Sequence, residues 1–285
     1  MFHCDTLNHC TFSGLLILFK GAVVTLDRVH YTSKHCPSRK SWTLNKLDNL
    51  RVCTYNVRSL ADETRLDHLT EELQNIKWHI IGMSEVRRKS ENVISLNESK
   101  HLFYYRGKEN EKLSGVGFLV NSNIAGNVLK FDSLSDRVAY LTIKLNKMYT
   151  LKVIQVYAPT SISSDEEIEK FYDDISKVLD EEKTKYTILM GDFNAKVGKK
   201  NDGESCMGKF GIGQRNERGE MLVNFSERYN MKIMNSAFQK RAGRKWTWRS
   251  PNEETKNEID FIITDNFNIV KDVTVINKVN IGSDH

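Results

Sequence analysis

Between residues 102 and 159 the chain carries four apolar runs in close succession, LFYYRG, GVGFLVN, RVAYLTIKL and YTLKVIQVYAP. All are rich in β-branched and aromatic residues, and Gly, Asn and Asp lie between them. Runs of this kind, separated by turn formers, read as strands joined by hairpins. The middle of the chain is therefore committed to sheet.

The flanks add helices. LRVCTYNV reads as a strand, and Leu66, Leu69, Leu73 and Ile76 then recur at helical steps. WHIIGMSEV follows as a short buried strand. Strand, helix, strand in this order predicts α/β layering. Ile168, Phe171, Tyr172, Ile175, Val178 and Leu179 mark one face of a second helix, with Ser164 and Glu167 as a capping box at its start. YTILMGDFNAKVG reads as a buried strand entering a Gly-bounded loop. ERGEMLVNFSERYN is a third helix, and MKIMNS, WTWRS, EIDFIIT and DVTVINKVN are further strands. The economical expectation is one α/β domain over residues 49–285, preceded by an extension over residues 1–48 whose order the pattern does not define.

A net charge of +5 permits a polyanionic partner without demanding one. Five scattered cysteines with no CxxC pair suit reduced thiols, and the His3, Cys4, His9, Cys10 cluster lacks zinc-site spacing. The apolar residues 15–24 are interrupted by Lys20, too short to span a bilayer and preceded by no basic residue. The expectation is a soluble intracellular protein with no membrane partner.

Functional groups of layered α/β folds gather where strands end. Asn56 lies in TYNV, Glu85 closes IIGMSEV, and Tyr157 closes VIQVYAP. Asp192 and Asn194 end ILMGDFNA, Asp260 is embedded in NEIDFII, and Asp284 and His285 follow VTVINKVNI. Each alone has an ordinary structural explanation in turn formation or packing. Asp192 and Asn194 are two apart and, on an extended segment, point the same way. Asp260 between Ile259 and Phe261 needs a partner to offset desolvation, and a histidine is a natural one. Carboxylates, amides, a phenol and one histidine suit a hard cation, Mg²⁺ with Mn²⁺ as the alternative. A metal that polarises a phosphoryl oxygen, with an amide and a phenol binding the developing charge, is the chemistry of phosphoester hydrolysis.

The stretches TYNVRSL, GMSEVR, VYAPT, MGDFNAKVG, NEIDFIIT and GSDH, in this order, resemble the endonuclease/exonuclease/phosphatase superfamily. GKFGIGQRNERGEML and WTWRSPNEETKNEIDFI further resemble the endonuclease domain of RTE/BovB-type non-LTR retrotransposons and the craniofacial development protein 2-like sequences. The resemblance implies a two-sheet β-sandwich flanked by helices with a site at one edge. It also implies a DNA substrate and, on chromosomal DNA, a nuclear location.

Carried over by position, Glu85 resembles the metal-binding carboxylate, Asn56 an amide of the metal or substrate shell, and Asp284 a neighbouring acid. Tyr157 and Asn194 match phosphate and transition-state groups, and Asp260 and His285 match an Asp–His pair. Asp192 matches the acid that handles the water or leaving-group proton, and whether it or His285 takes the water proton stays open at this point. Arg87, Arg88, Arg244 and Lys245 are the basic residues expected to hold the DNA backbone. Arg58 stands where repair members often carry an acid, and Thr160 alters the repair-type YxPN, so a base-excision role is disfavoured. In the resembling family a last strand follows the histidine; its absence here leads to the expectation of a loosely held His285 and reduced activity. The competing expectations are a domesticated copy that binds without cutting and a phosphatase of the same fold.

Overall fold

The computed structural model describes residues 18–26, 49–110, 113–181, 183–279 and 281–285. The apolar runs form two mixed sheets packed face to face. Strands and helices are numbered in chain order. Across the seven-stranded sheet run β15 (Val270–Lys278), β1 (Leu18–Leu26), β2 (Leu50–Asn56), β3 (Ile80–Ser84), β6 (Val116–Val120), β5 (Leu102–Arg106) and β4 (Glu91–Ser95). Across the six-stranded sheet run β11 (Lys232–Ile233), β14 (Asp260–Thr264), β10 (Tyr186–Asp192), β9 (Thr150–Tyr157), β8 (Val138–Lys144) and β7 (Val128–Ser135). A small ribbon pairs β12 (Trp248–Arg249) with β13 (Lys256–Asn257). The helices are α1 (Glu63–Leu73), one-turn α2 (Ser122–Ala125), α3 (Asp165–Glu181) and α4 (Glu217–Arg228).

The central strands are buried on both faces, so they read as near-continuous apolar runs. In β9, Leu151 and Val153 join the core between the sheets, while Ile154 and Val156 join the outer core beneath α3 and α4. Helix α1 covers the other sheet with Leu66, Leu69 and Leu73. Burying these three contributes about 6 kcal/mol at about 2 kcal/mol per side chain. The Asp62 side chain, which accepts from Arg65 N at 2.9 Å, adds only ~1 kcal/mol as an N-cap. The apolar stripe therefore decides where this helix docks, and the cap decides where it starts.

A polar seam crosses the interior between the sheets. Thr54 Oγ1 on β2 donates to Gln155 Oε1 on β9 at 3.1 Å. Gln155 Nε2 donates to Ser84 Oγ on β3 at 2.9 Å, and that hydroxyl donates to Val156 O at 3.0 Å. All three side chains are fully buried and all find partners. Gly82 makes the room: a Cβ there would lie 2.0 Å from Gln155 Oε1.

Leu18–Leu26, which the sequence pattern places in the extension, is an inner strand, antiparallel to both β2 and β15. Cys53 and Cys206 are buried free thiols, and the other three cysteines lie outside the described residues, as does the His3, Cys4, His9, Cys10 cluster. Among the described residues no helix is long and apolar enough to cross a membrane.

Candidate active site

Each sheet contains one parallel pair among its antiparallel neighbours, β2 with β3 and β9 with β10. Their carboxyl ends carry Asn56, Glu85, Tyr157 and Asp192. Register places Asp192 opposite Tyr157 on one side and Asp260 on the other. Gly191 permits the close approach of β9 and β10 just before Asp192: its φ is +150°, and a Cβ would lie 2.0 Å from Val156 O.

The two sheets meet at the Asn56 amide. Asn56 Nδ2 donates to Glu85 Oε1 at 2.9 Å and to Asp192 Oδ2 at 2.9 Å, and lies 3.4 Å from His285 Nε2. Its carbonyl oxygen accepts from Arg58 N at 3.0 Å, a contact made by a left-handed Arg58 (φ +54°). His285 Nδ1 lies 2.9 Å from Asp260 Oδ2, and His285 Nε2 lies 3.5 Å from Asp192 Oδ2. Two hydroxyls fix the backbone around this pair. Thr247 Oγ1 accepts from Ile259 N and Asp260 N at 3.0 and 3.1 Å. Ser283 Oγ donates to Asn56 O at 2.7 Å and accepts from His285 N at 3.1 Å. His285 is thus only 5% exposed and oriented through Nδ1 and its own amide, which corrects the expectation of a loosely held imidazole.

Burial alone would lower the His285 pKa, but the charges of Asp260 and Asp192 and the Asp260 hydrogen bond outweigh it and raise it to about 9. Burial raises Asp192, to about 7, the His285 charge opposing and the Asp260 charge adding to it. Burial and the Glu85 and Asp192 charges push the Tyr157 phenol well above its usual range. Asp192, Asp260 and His285 offer ligand atoms within 4.8 Å of one another, a grouping close enough to hold a metal ion.

The strand-end residues Asn56, Glu85, Tyr157, Asp192, Asp260 and His285 therefore converge. Others differ from expectation. Asn194 does not continue an extended segment: its φ is +47°, its N–H donates to Asp192 Oδ1 at 3.0 Å, and its Nδ2 donates to Ala158 O at 2.9 Å. It locks the loop after Asp192 rather than repeating its direction. Asp284 Oδ2 faces Arg58 Nη1 at 3.7 Å and Trp248 Nε1 at 3.3 Å, so it serves the rim of the site. Arg87 pairs with Glu85 at 2.6 Å, and Arg244 is exposed.

Arg88 is committed to structure, donating to Leu60 O at 2.7 Å and Glu63 at 2.9 Å with its guanidinium over Phe103 and Tyr105. Lys245 turns inward and is 3% exposed, with Nζ donating to Phe210 O and, at 2.9 Å, to Asn235 O. Burial lowers its pKa, against the pull of the buried Glu258, itself raised by burial to about 7. Neither is free to hold DNA. Lys245→Ala is expected to lower unfolding stability by about 3 kcal/mol, because it strands two carbonyls and removes the cation near the buried Glu258. Urea unfolding measures this, and weaker DNA binding with unchanged unfolding would return Lys245 to the substrate surface. Thr247 and Ser283 carry no signal in the sequence, because serine and threonine are too common in loops to mark a positioning role.

The comparisons with known proteins agree with this geometry. Residues 53–285 match the Endonuclease/Exonuclease/phosphatase family. Craniofacial development protein 2 of Bos taurus is 33% identical over 213 residues, 74% of this chain and 35% of that protein. The same protein of Tragulus javanicus is also 33% identical, with 36% of it covered. The chain thus spans about a third of the length of these curated relatives. Among solved structures, the AP endonuclease LMAP from Leishmania major has a TM-score of 0.53 at 13% identity, covering 76% of this chain and 79% of that one. The 3'-5' exonuclease NExo from Neisseria meningitidis has 0.50 at 16%, covering 75% and 86%. These two show the shared two-sheet fold. The chain belongs to the endonuclease/exonuclease/phosphatase family.

Proposed function

We propose that this chain hydrolyses phosphodiester bonds in DNA, nicking one strand, with Mg²⁺ or Mn²⁺ as cofactor. The observation that carries the reading is His285 held between Asp260 and Asp192, where the two sheets meet at Asn56. The donor set fits a hard cation. Glu85 and Asp192 both accept from one amide nitrogen, which gathers two carboxylates where a divalent ion is favoured. Asp260 Oδ1 is buried without a hydrogen-bond partner among the described residues and adds a third oxygen donor. A protonated His285 has no lone pair to offer, so the carboxylates of Glu85, Asp192 and Asp260 are the groups that would hold the ion, two of them oriented by Asn56 Nδ2. When bound, it would polarise the phosphoryl oxygen and neutralise charge on the leaving group.

The protein's own groups divide the remaining work. Asp192, with its pKa brought near neutrality by burial, accepts the proton of the attacking water. His285, kept protonated by its two carboxylates, donates to a phosphate oxygen as charge develops there. Asp260 holds the imidazolium in place through Nδ1. Tyr157, kept neutral, donates to a remaining oxygen, while Asn194 holds the loop that carries Asp192. The net charge of +5, exposed Arg244 and half-exposed Arg58 support a polyanionic substrate. The retrotransposon-type motifs favour DNA and a nuclear site of action.

Nicking of supercoiled plasmid in MgCl₂, compared with EDTA, tests this reading. The rate is expected to rise as Asp192 loses its proton near pH 7 and to fall as His285 loses its proton near pH 9. A rate that does not respond to pH between those values and beyond them would remove both assignments. Turnover of a small phosphomonoester without plasmid nicking would make the chain a phosphatase, and inertness toward both would make it a binding module.

A further inference from the structure

The strand β1 has a position that the catalytic residues do not explain. It is the sole strand neighbour of β15 among the described residues, and it separates β15 from β2. β1 pairs with β15 from Leu18 opposite Lys278 to Leu26 opposite Val270, and with β2 from Val23 opposite Cys53 to Leu26 opposite Leu50. β15 ends at Lys278, and the chain then runs directly to His285. Within that run Val279 and Ile281 are buried, in the same apolar cluster as Val23, Tyr55 and Leu60. Val24, the next residue of β1, faces the opposite way, into the core between the sheets. Ile281 O accepts from Arg65 Nη2 on α1 at 2.9 Å, and Ser283 bridges to Asn56. The loop carrying His285 is thus held by this apolar cluster, by Arg65 and by Ser283, besides the Asp284 and His285 contacts described above, and β1 anchors the strand that leads into it.

We infer that the amino-terminal strand Leu18–Leu26 is a positioning element of the active site, acting through β15 and the Val23 contact cluster on the segment that presents His285. Its catalytic consequence rests on the phosphodiesterase reading; its structural consequence does not. The two faces of the strand supply an internal control. Val23 and Val24 are adjacent, both buried, and lose the same two methyl groups on change to alanine. Only Val23 shares its cluster with Val279 and Ile281.

The experiment uses the full chain with Val23→Ala and Val24→Ala. Both are expected to lower the urea midpoint by similar amounts. Val23→Ala is expected to reduce kcat for plasmid nicking on the order of ten-fold with KM unchanged, because a loosely held group loses the benefit of positioning. It should also speed amide hydrogen exchange across residues 279–285 in the native state. Val24→Ala should leave both near wild type. Equal effects of the two variants on kcat and on exchange, or no effect of either, would overturn the inference. If the wild type cuts nothing, hydrogen exchange alone decides: faster exchange at 279–285 in Val23→Ala than in Val24→Ala supports the strand's role, and equal exchange overturns it.

Discussion

Asp192→Asn is expected to reduce plasmid nicking on the order of 10³-fold, within the range a positioned general base supplies, while raising thermal stability. The two effects share one cause. Asp192 is 1% exposed, and burial holds its carboxyl well above the usual range, which means that the folded protein disfavours its charge. Asparagine keeps the shape and removes that charge, so the fold is relieved while the proton acceptor is lost. The Asn56 amide still finds an oxygen at the same position, which preserves the junction between sheets. Nicking rates and melting temperatures of the same two preparations provide the check. Loss of activity together with a lower melting temperature would mean that Asp192 is chiefly a structural partner of Asn56. Retained activity would transfer the proton-accepting role to His285.

The second large effect is expected at Asp260. His285 owes its raised pKa to neighbouring carboxylates working against burial. Asp260→Asn removes the nearer of these, 2.9 Å from Nδ1, and leaves burial with less opposition. The imidazole pKa should fall below its present value of about 9, and the alkaline limb of the rate profile should move to lower pH with it. The asparagine amide also competes for Nδ1 and unsettles which ring nitrogen carries the proton. The rate is expected to fall by up to about 10⁴-fold, the loss that the wrong tautomer causes in a buried Asp–His pair. Nitrogen-15 chemical shifts of the His285 ring across pH report the pKa independently of turnover. An unmoved ring pKa in Asp260→Asn would show that Asp192, not Asp260, governs the histidine.

Much of this site can be read from the sequence because buried strands that end in polar residues are conspicuous. Asn56, Glu85, Tyr157 and Asp192 each terminate an apolar run, and Asp260 interrupts one. What cannot be read depends on backbone conformation and long-range contact. The left-handed φ of Asn194 turns it away from the direction that simple alternation assigns. Lys245 sits in a basic, surface-like run, and only the tertiary fold supplies the buried carbonyls that draw it inward. The strand β4 carries no apolar face, since it lies at a sheet edge with most of its side chains in solvent. β1 contains Lys20 and Gly21, which break the apolar pattern, and its place in the sheet comes from pairing with strands far along the chain.

The polar seam of Thr54, Gln155 and Ser84 has a consequence for how this protein tolerates change. Aliphatic side chains between two sheets attract without direction, so one sheet can slide over the other at little cost and still bury the same area. Hydrogen bonds of fixed length and angle allow one alignment. The half of the site borne by one sheet, Asn56 and Glu85, must meet the half borne by the other, Asp192 and Asp260. The aliphatic positions can therefore drift through volume-conserving exchanges over evolutionary time. The three seam residues, together with the glycine that admits Gln155, cannot drift singly, because they set the alignment on which a catalytic centre shared between two sheets depends.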